Sequence, residues 1–154
     1  LSLKKIGVTE VYCVDPIESR QETAIGFGAT EFVDSPPKCD VVFDVCGTNE
    51  SLDSCIRTCG AGSKLVMIGI PETDTLIINP HLLRIREVDF INVRRSDRTL
   101  IPALNLFRDD SRDLDRMVTH CYNIDECQKA FDTASGYKDG VIKAIFTPNE
   151  GLGD

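Results

Sequence analysis

The sequence predicts an α/β protein with a doubly wound, parallel sheet. Short apolar segments alternate along the chain with segments of helical periodicity, and a repeated strand–helix–strand order implies parallel strands with right-handed crossovers. The segments 40–46 and 64–70 are almost continuously apolar, which is typical of strands that are covered on both faces.

Most of the predicted strands lie in the first 95 residues. They are 11–15, 31–34, 40–46, 64–70 and 88–93, with helices at 3–6, 18–27 and 50–59. Asn49 is a suitable N-cap for the helix 50–59. One apolar stripe at i, i+3, i+4 and i+7 runs along that helix, formed by Leu52, Cys55, Ile56 and Cys59.

After Arg95 the pattern changes from strands to helices. We expect Ser96 or Asp97 to cap a helix over 99–107, with Pro102 in its first turn. Residues 109–111 should end that helix, and 114–118 should form a short one. Asn123 and Glu126 have the spacing of a capping box, which predicts a further helix. A last strand is predicted at 141–146 and a frayed tail at 149–154.

Composition narrows the possible functions. A net charge of −8 disfavours nucleic acid and anionic membrane surfaces as partners. The longest apolar runs have only strand length, so no membrane span is predicted, and no leader is visible. We therefore expect a cytoplasmic protein, in which the seven cysteines are reduced, buried and act as small hydrophobes.

Asp15 is the residue most indicative of function, because it follows the apolar strand 11–14. A carboxylate at the end of the second strand of a nucleotide-binding unit can accept hydrogen bonds from both ribose hydroxyls of NAD. A strand and a glycine-rich turn should precede it by about 20 residues. Residues 1–10 contain neither this strand nor a glycine-rich turn, so we expect the chain to correspond to the later part of a dinucleotide-binding protein. The alternative is an ordinary turn acid before Pro16.

Three runs carry a resemblance to a known family: 85–93 (IREVDFINV), 114–120 (LDRMVTH) and 125–132 (DECQKAFD). With Asp15 and Arg20, they resemble the C-terminal part of the sorbitol (polyol) dehydrogenases in the zinc-dependent medium-chain dehydrogenase family. The resemblance implies a Rossmann-type sheet that lacks its first strand and glycine-rich turn. It divides the chain into a partial coenzyme domain, 1–95, and a segment that returns to the catalytic domain, 96–154.

The same resemblance implies which residues contact NAD. Asp15 would accept the ribose hydroxyls and disfavour NADP, since a 2′-phosphate would face a like charge. Arg20 would lie against the adenine. The other implied contacts are Cys46 and Gly47 at the adenosine, Ile68, Gly69 and Ile70 beside the nicotinamide, and Val93 and Arg95 at the carboxamide and pyrophosphate. Arg94 departs from the family, in which an aromatic residue is usual.

The family's zinc ligands and its glycine-rich turn have no counterpart here, so neither a catalytic residue nor a metal ligand is assigned. The stretch between Asp34 and Asp40 is also shorter than in the family. We expect an NAD-binding part of a dehydrogenase that oxidises a secondary alcohol of a polyol. The chain alone should be inactive, and self-association should involve the extended edge 75–78.

Other interpretations stay open. The chain could be a non-catalytic Rossmann-like remnant or interaction module, or a relative of threonine or alcohol dehydrogenases. Zinc binding by Cys55 and Cys59 is possible at their i, i+4 spacing, but core packing is favoured. A thiol–imidazole nucleophile at His120 and Cys121 is disfavoured, because the pair is expected in a loop without an oxyanion site.

Overall fold

Every strand pair in the structure is parallel, which confirms the predicted α/β class. The structure is a computed structural model that describes residues 1–96, 98–108 and 114–147. The predicted cap at Asp97, the break at 109–111 and the tail at 149–154 lie outside those residues. The chain divides into two compact units, one formed by 1–34 with the described part of 104–154, and the other by 35–103.

The strands and helices alternate as predicted, with an additional helix at Pro80–Ile85 and an additional strand at His120–Asn123. The strands are β1 (Tyr12–Cys13), β2 (Glu31–Phe32), β3 (Cys39–Asp44), β4 (Cys59–Met67), β5 (Asp89–Asn92), β6 (His120–Asn123) and β7 (Ala144–Thr147). The helices are α1 (Ser2–Lys5), α2 (Gln21–Gly26), α3 (Asn49–Thr58), α4 (Pro80–Ile85), α5 (Leu100–Phe107) and α6 (Cys127–Ser135). Single 3₁₀ turns occupy Glu18–Arg20, Leu114–Met117, Ile124–Glu126 and Lys138–Gly140.

The first unit contains two separate two-stranded ladders. In one, β1 pairs with β2, and in the other β6 pairs with β7 in the register His120↔Ala144. The buried Tyr122 of β6 donates its hydroxyl to Thr133 of α6 at 3.0 Å, so helix and ladder are joined by a hydrogen bond. At the predicted capping box, the backbone N–H of Asn123 donates to the Glu126 carboxylate at 3.3 Å.

The predicted loop at His120 and Cys121 is wrong, because both residues belong to β6. Consecutive side chains of a strand point to opposite faces, so the two do not form a thiol–imidazole pair. His120 instead stacks on Tyr122 with a ring-centroid separation of 6.1 Å.

In the second unit, α3 packs against the sheet β3–β4–β5. Its core consists of Val42, Leu52, Ile56, Cys59 and Leu65. The predicted helical stripe is confirmed at Leu52, Cys55 and Ile56, whereas Cys59 lies in the core as part of β4 and not of the helix. Strand β4 begins at Cys59 rather than at residue 64, and it ends at Met67, since the N–H groups of Ile68 and Gly69 turn to the carbonyl of Asp44.

The N-cap of α3 is Thr48 and not Asn49. The hydroxyl of Thr48 accepts from the N–H of Ser51 at 3.1 Å, and the Ser51 hydroxyl accepts from the N–H of Thr48 at 3.1 Å. The Asn49 side chain does not cap the helix, because its oxygen accepts from the N–H of Ile77 at 2.7 Å.

The expectation that the cysteines are buried holds only for Cys59. Cys46 and Cys121 are exposed, and the remaining cysteines are partly buried. Cys46 lies in the loop after β3, and Cys121 occupies the face of β6 opposite the buried Tyr122. Among the described residues, no helix is long and apolar enough to cross a membrane.

Candidate functional site

Asp15 lies two residues beyond the end of β1, and a hydrogen bond to each of its two carboxylate oxygens holds the side chain in place. Its Oδ1 accepts from the N–H of Ile17 at 2.9 Å, and its Oδ2 accepts from Nη1 of Arg20 at 2.9 Å. An aspartate that bonds the backbone two residues ahead forms a tight turn, and Pro16 within it fixes the chain direction. The side chain of Asp15 remains 23% exposed. Each carboxylate oxygen accepts about two hydrogen bonds, so both can still accept another donor.

Arg20 is oriented by two contacts. Besides its ion pair with Asp15, its guanidinium carbon lies 5.3 Å from the ring centroid of Tyr137, which is a cation–π distance. The Tyr137 backbone has φ 49°, and Asp139 has φ 54°, so the ring is presented by a left-handed turn. Sequence reasoning missed Tyr137, because nothing local to residue 137 signals a partner at residue 20.

The predicted contacts of the second unit lie at the carboxyl ends of its parallel strands. Cys46 and Gly47 follow β3, and Ile68, Gly69 and Ile70 follow β4. The two loops touch through their backbones: a Cβ on Gly69 would lie 2.4 Å from the Gly47 nitrogen, and a Cβ on Gly47 would lie 2.9 Å from the Ile70 carbonyl carbon. Gly47 also has φ +76°, which a side chain would strain.

Asp44, the last residue of β3, holds these loops together. Its carboxylate accepts from the N–H groups of Cys46 at 3.2 Å and Gly47 at 3.2–3.3 Å. Its backbone carbonyl accepts from the N–H groups of Ile68 at 2.8 Å and Gly69 at 3.0 Å. The residue is only 1% exposed. Sequence reasoning placed Asp44 inside a strand and gave it no role.

Val93 and Arg95 follow β5 at the same edge of the three-stranded sheet. The N–H of Val93 donates to the carbonyl of Met67 at 3.1 Å, so Val93 continues the ladder beside β4. Arg95 is exposed and has φ 38°, and Arg94 is also exposed. The structure thus groups Asp15 with Arg20 in one unit, and the loops after β3, β4 and β5 in the other.

Two partly buried thiols near these groups, Cys55 and Cys13, have raised pKa values. Burial, with smaller contributions from Asp44, Cys59 and Cys46, raises the pKa of Cys55 to about 12. Burial and then the Asp15 charge raise the pKa of Cys13. Because the thiolate is the nucleophile and the metal ligand, neither residue is suited to those roles.

Within 1–96, 98–108 and 114–147, no three or more His, Cys, Asp or Glu side chains cluster in a way that could hold a metal ion. Cys55 and Cys59 instead lie in and against the core of the second unit. The residues present therefore do not fit a zinc centre.

Parallel strands alternating with helices, with loops gathered at their carboxyl ends, define the class of α/β nucleotide-binding folds. Residues 1–109 match the family profile of the zinc-binding dehydrogenases. The chain belongs to this family.

Known relatives and structures agree with this assignment. Sorbitol dehydrogenase of Bacillus subtilis is 23% identical over 95% of this chain and 39% of its own length. L-Threonine 3-dehydrogenase of Alteromonas mediterranea is 30% identical over 90% of this chain and 45% of its own length. A zinc-binding dehydrogenase from Sinorhizobium meliloti, solved with NADP bound, superimposes with a TM-score of 0.81 at 23% identity, covering 96% of this chain and 48% of that one. The chain thus spans less than half the length of these relatives.

Proposed function

We propose that this chain supplies nicotinamide-dinucleotide binding to a dehydrogenase that oxidises a secondary alcohol of a polyol. Membership of the zinc-binding dehydrogenase family supports the reaction class. The names of relatives support the substrate class, since they include sorbitol dehydrogenase and, at 29% identity, L-arabinitol 4-dehydrogenase of Penicillium rubens. When bound, the dinucleotide supplies the hydride acceptor.

The observation that carries the proposal is the geometry at Asp15. The carboxylate is fixed by the N–H of Ile17 and by Arg20, it is part-exposed, and each oxygen can accept one more hydrogen bond. These are the properties needed to bind two vicinal ribose hydroxyls. The negative charge would also repel a 2′-phosphate, so we propose NAD rather than NADP as the coenzyme.

Arg20 fits a role against the adenine. A guanidinium is planar and stacks on rings, and the Arg20 side chain remains 27% exposed beside its contact with Tyr137. We propose that Arg20 lies against the adenine of the bound dinucleotide. Its ion pair with Asp15 holds the side chain in position.

The loops of the second unit have properties that suit a flat, uncharged ring. Gly47 is buried and Gly69 is half-buried, and neither adds a side chain to this edge, whereas the flanking Ile68 and Ile70 are 45% and 74% exposed. Val93 is also exposed, at 45%. We propose that these residues, with Cys46, contact the rings of the dinucleotide, and that Arg95 contacts its pyrophosphate.

Binding can be tested by isothermal titration calorimetry of the chain with NAD and with NADP. Hydrogen bonds to a charged group contribute about 1.5–3 kcal/mol each, so losing two in Asp15→Ala should weaken NAD binding by at least about 100-fold. The matched control is Asp34→Ala, because Asp34 also lies two residues beyond a parallel strand but is exposed. Its NAD affinity should stay within about twofold of the unaltered chain, since a surface substitution there should change the binding energy by no more than about 0.5 kcal/mol.

Two results would contradict the proposal. Equal losses in both variants would show that the charge and not the position of Asp15 matters. Absence of NAD binding to the unaltered chain would favour the alternative of a non-catalytic interaction module. We also expect no sorbitol-dependent NADH formation by the purified chain, and its detection would refute that expectation.

A further inference from the structure

Asp44 is the most deeply buried acidic side chain that the proposed function does not use. It is 1% exposed in the second unit, at the end of β3. Burying a carboxylate costs free energy unless its oxygens are hydrogen-bonded, so its presence requires a compensating contact. In the part of the chain that the structure describes, that contact is with the backbone N–H groups of Cys46 and Gly47.

The hydrogen bonds of Asp44 reach both of the loops that meet at this edge. Two N–H groups, from Cys46 and Gly47, donate to the carboxylate, and two, from Ile68 and Gly69, donate to the backbone carbonyl. The same residue therefore fixes the loop after its own strand and the loop after β4. Changing the side chain affects only the first pair directly, because the carbonyl is retained in any substitution.

Contact between the loops transmits the effect of the carboxylate. The Gly47 nitrogen would lie only 2.4 Å from a Cβ on Gly69, so the two backbones are in van der Waals contact. If the Cys46–Gly47 segment moves, the Ile68–Ile70 segment loses the backbone contact that holds it on the side facing Gly47. Backbones packed this closely cannot shift independently.

We propose that Asp44 is a positioning residue, whose carboxylate holds Cys46–Gly47 against Ile68–Ile70 in the arrangement that binds the dinucleotide. This inference rests on the proposed function of those loops. It adds a buried residue to the site that does not itself touch the ligand, and it explains why a charged side chain is buried at the end of β3.

The test compares Asp44→Asn with two control variants. Asparagine keeps the size of the side chain but replaces one acceptor oxygen with an NH₂ group that faces the N–H of Gly47. Asp53→Asn makes the same change of net charge on the surface of α3, where Asp53 pairs with Arg57 at 2.7 Å. Ser63→Ala removes another buried polar group of the same unit, whose Oγ has no hydrogen-bond partner among the described residues.

Two measurements are made on each variant of the full chain: NAD affinity by calorimetry, and amide hydrogen exchange by NMR. For Asp44→Asn we expect at least tenfold weaker NAD binding, and at least tenfold faster exchange at Cys46 and Gly47. Exchange at Leu52 and Ile56 in α3 should be unchanged. Both control variants should match the unaltered chain in both measurements.

A pH profile separates the charge from a general loss of structure. Burial is the largest cause of the raised pKa of Cys55, and the Asp44 charge is the next. Alkylation of Cys55 in folded Asp44→Asn should therefore shift to lower pH, whereas in Asp53→Asn it should not. Uniform loosening of the unit would also lower the pKa of Cys55 by exposing it, but it would speed amide exchange at Leu52 and Ile56, which the loss of the charge leaves unchanged.

The outcomes distinguish this inference from the proposed function. If the unaltered chain does not bind NAD, the proposed function fails, and the exchange measurement alone decides whether Asp44 holds the loop. If the chain binds NAD and Asp44→Asn binds it equally well, the inference fails by itself. If neither Asp44→Asn nor Asp44→Ser folds, Asp44 supports the whole sheet rather than the loops, which also overturns it.

Discussion

Replacing Gly69 with alanine tests how tightly the loops after β3 and β4 are packed. A Cβ at this position would lie 2.4 Å from the Gly47 nitrogen, and 2.6 and 2.8 Å from the carbonyl carbon and nitrogen of Cys46. Favourable contacts between such atoms lie near 3.5–4.0 Å, so each of these would be shorter by roughly 1 Å. All three neighbours are backbone atoms, which cannot move away by changing a rotamer.

The expected cost follows from that geometry. Overpacking a well-packed site costs about 1–3 kcal/mol, and rigid backbone neighbours place Gly69→Ala near the upper end, at about 3 kcal/mol. Gly62→Ala is the matched comparison in the same unit, because Gly62 has φ +68° but nothing within 4 Å of a Cβ. Its cost should be only the left-handed strain of an alanine, about 1 kcal/mol.

Urea denaturation followed by far-UV circular dichroism measures both costs, since the chain has no tryptophan to serve as a fluorescent probe. Native-state hydrogen exchange at the amides of Leu52 and Ile56 gives the opening free energy of the second unit separately. The denaturant slope should be unchanged in both variants, because the same surface is exposed on unfolding. If Gly69→Ala lowers the free energy of unfolding no more than Gly62→Ala does, the close packing of these two loops is contradicted.

Three further substitutions test other features. Thr48→Ala removes the hydroxyl that accepts from the N–H of Ser51, and should lower the free energy of unfolding by about 1 kcal/mol in urea titrations; no change would contradict the assigned cap. Tyr137→Leu should cost about 0.5–1 kcal/mol through loss of the ring over Arg20, whereas Tyr137→Phe should cost less, and equal costs would contradict the cation–π contact. Burial raises the pKa of Cys55 from 9.0 to about 12 in the folded chain. The thiol therefore loses its proton at a lower pH in the unfolded chain than in the folded one. The free energy of unfolding should accordingly fall as the pH rises from 9 toward 12. Cys55→Ala should reduce that loss in alkaline urea titrations, and an unchanged pH dependence would contradict it.

Features encoded within a single helix or strand were predictable from the sequence. The stripe of α3 was predicted because a 3.6-residue repeat determines which face is buried, and Leu52 and Ile56 are completely buried. The parallel arrangement followed from the alternation of strands and helices. The N-cap of α3 was placed one residue too late, because Thr48 and Asn49 both favour caps and only the contact of Asn49 with Ile77 distinguishes them.

Features that depend on distant residues were not predictable. Strand β6 exists because it pairs with β7, and the short polar sequence His120–Asn123 has no strand pattern of its own. The ring of Tyr137 over Arg20 joins residues more than 100 positions apart. Asp15 was selected by its position after an apolar strand and Arg20 by resemblance, and neither argument indicated that the two side chains contact each other.

The two aspartates that end strands illustrate how a ligand-binding carboxylate differs from a positioning one. Asp44 is 1% exposed, and its oxygens face N–H groups of its own loop, so no ligand can reach them without opening the protein. Asp15 has 23% of its side chain exposed, and among the described residues each of its oxygens accepts from one donor. A carboxylate near a strand end accordingly gains a ligand-binding role only if local turns leave acceptor capacity facing solvent. Asp15 meets this condition and Asp44 does not, although both are acids that follow apolar residues in the sequence.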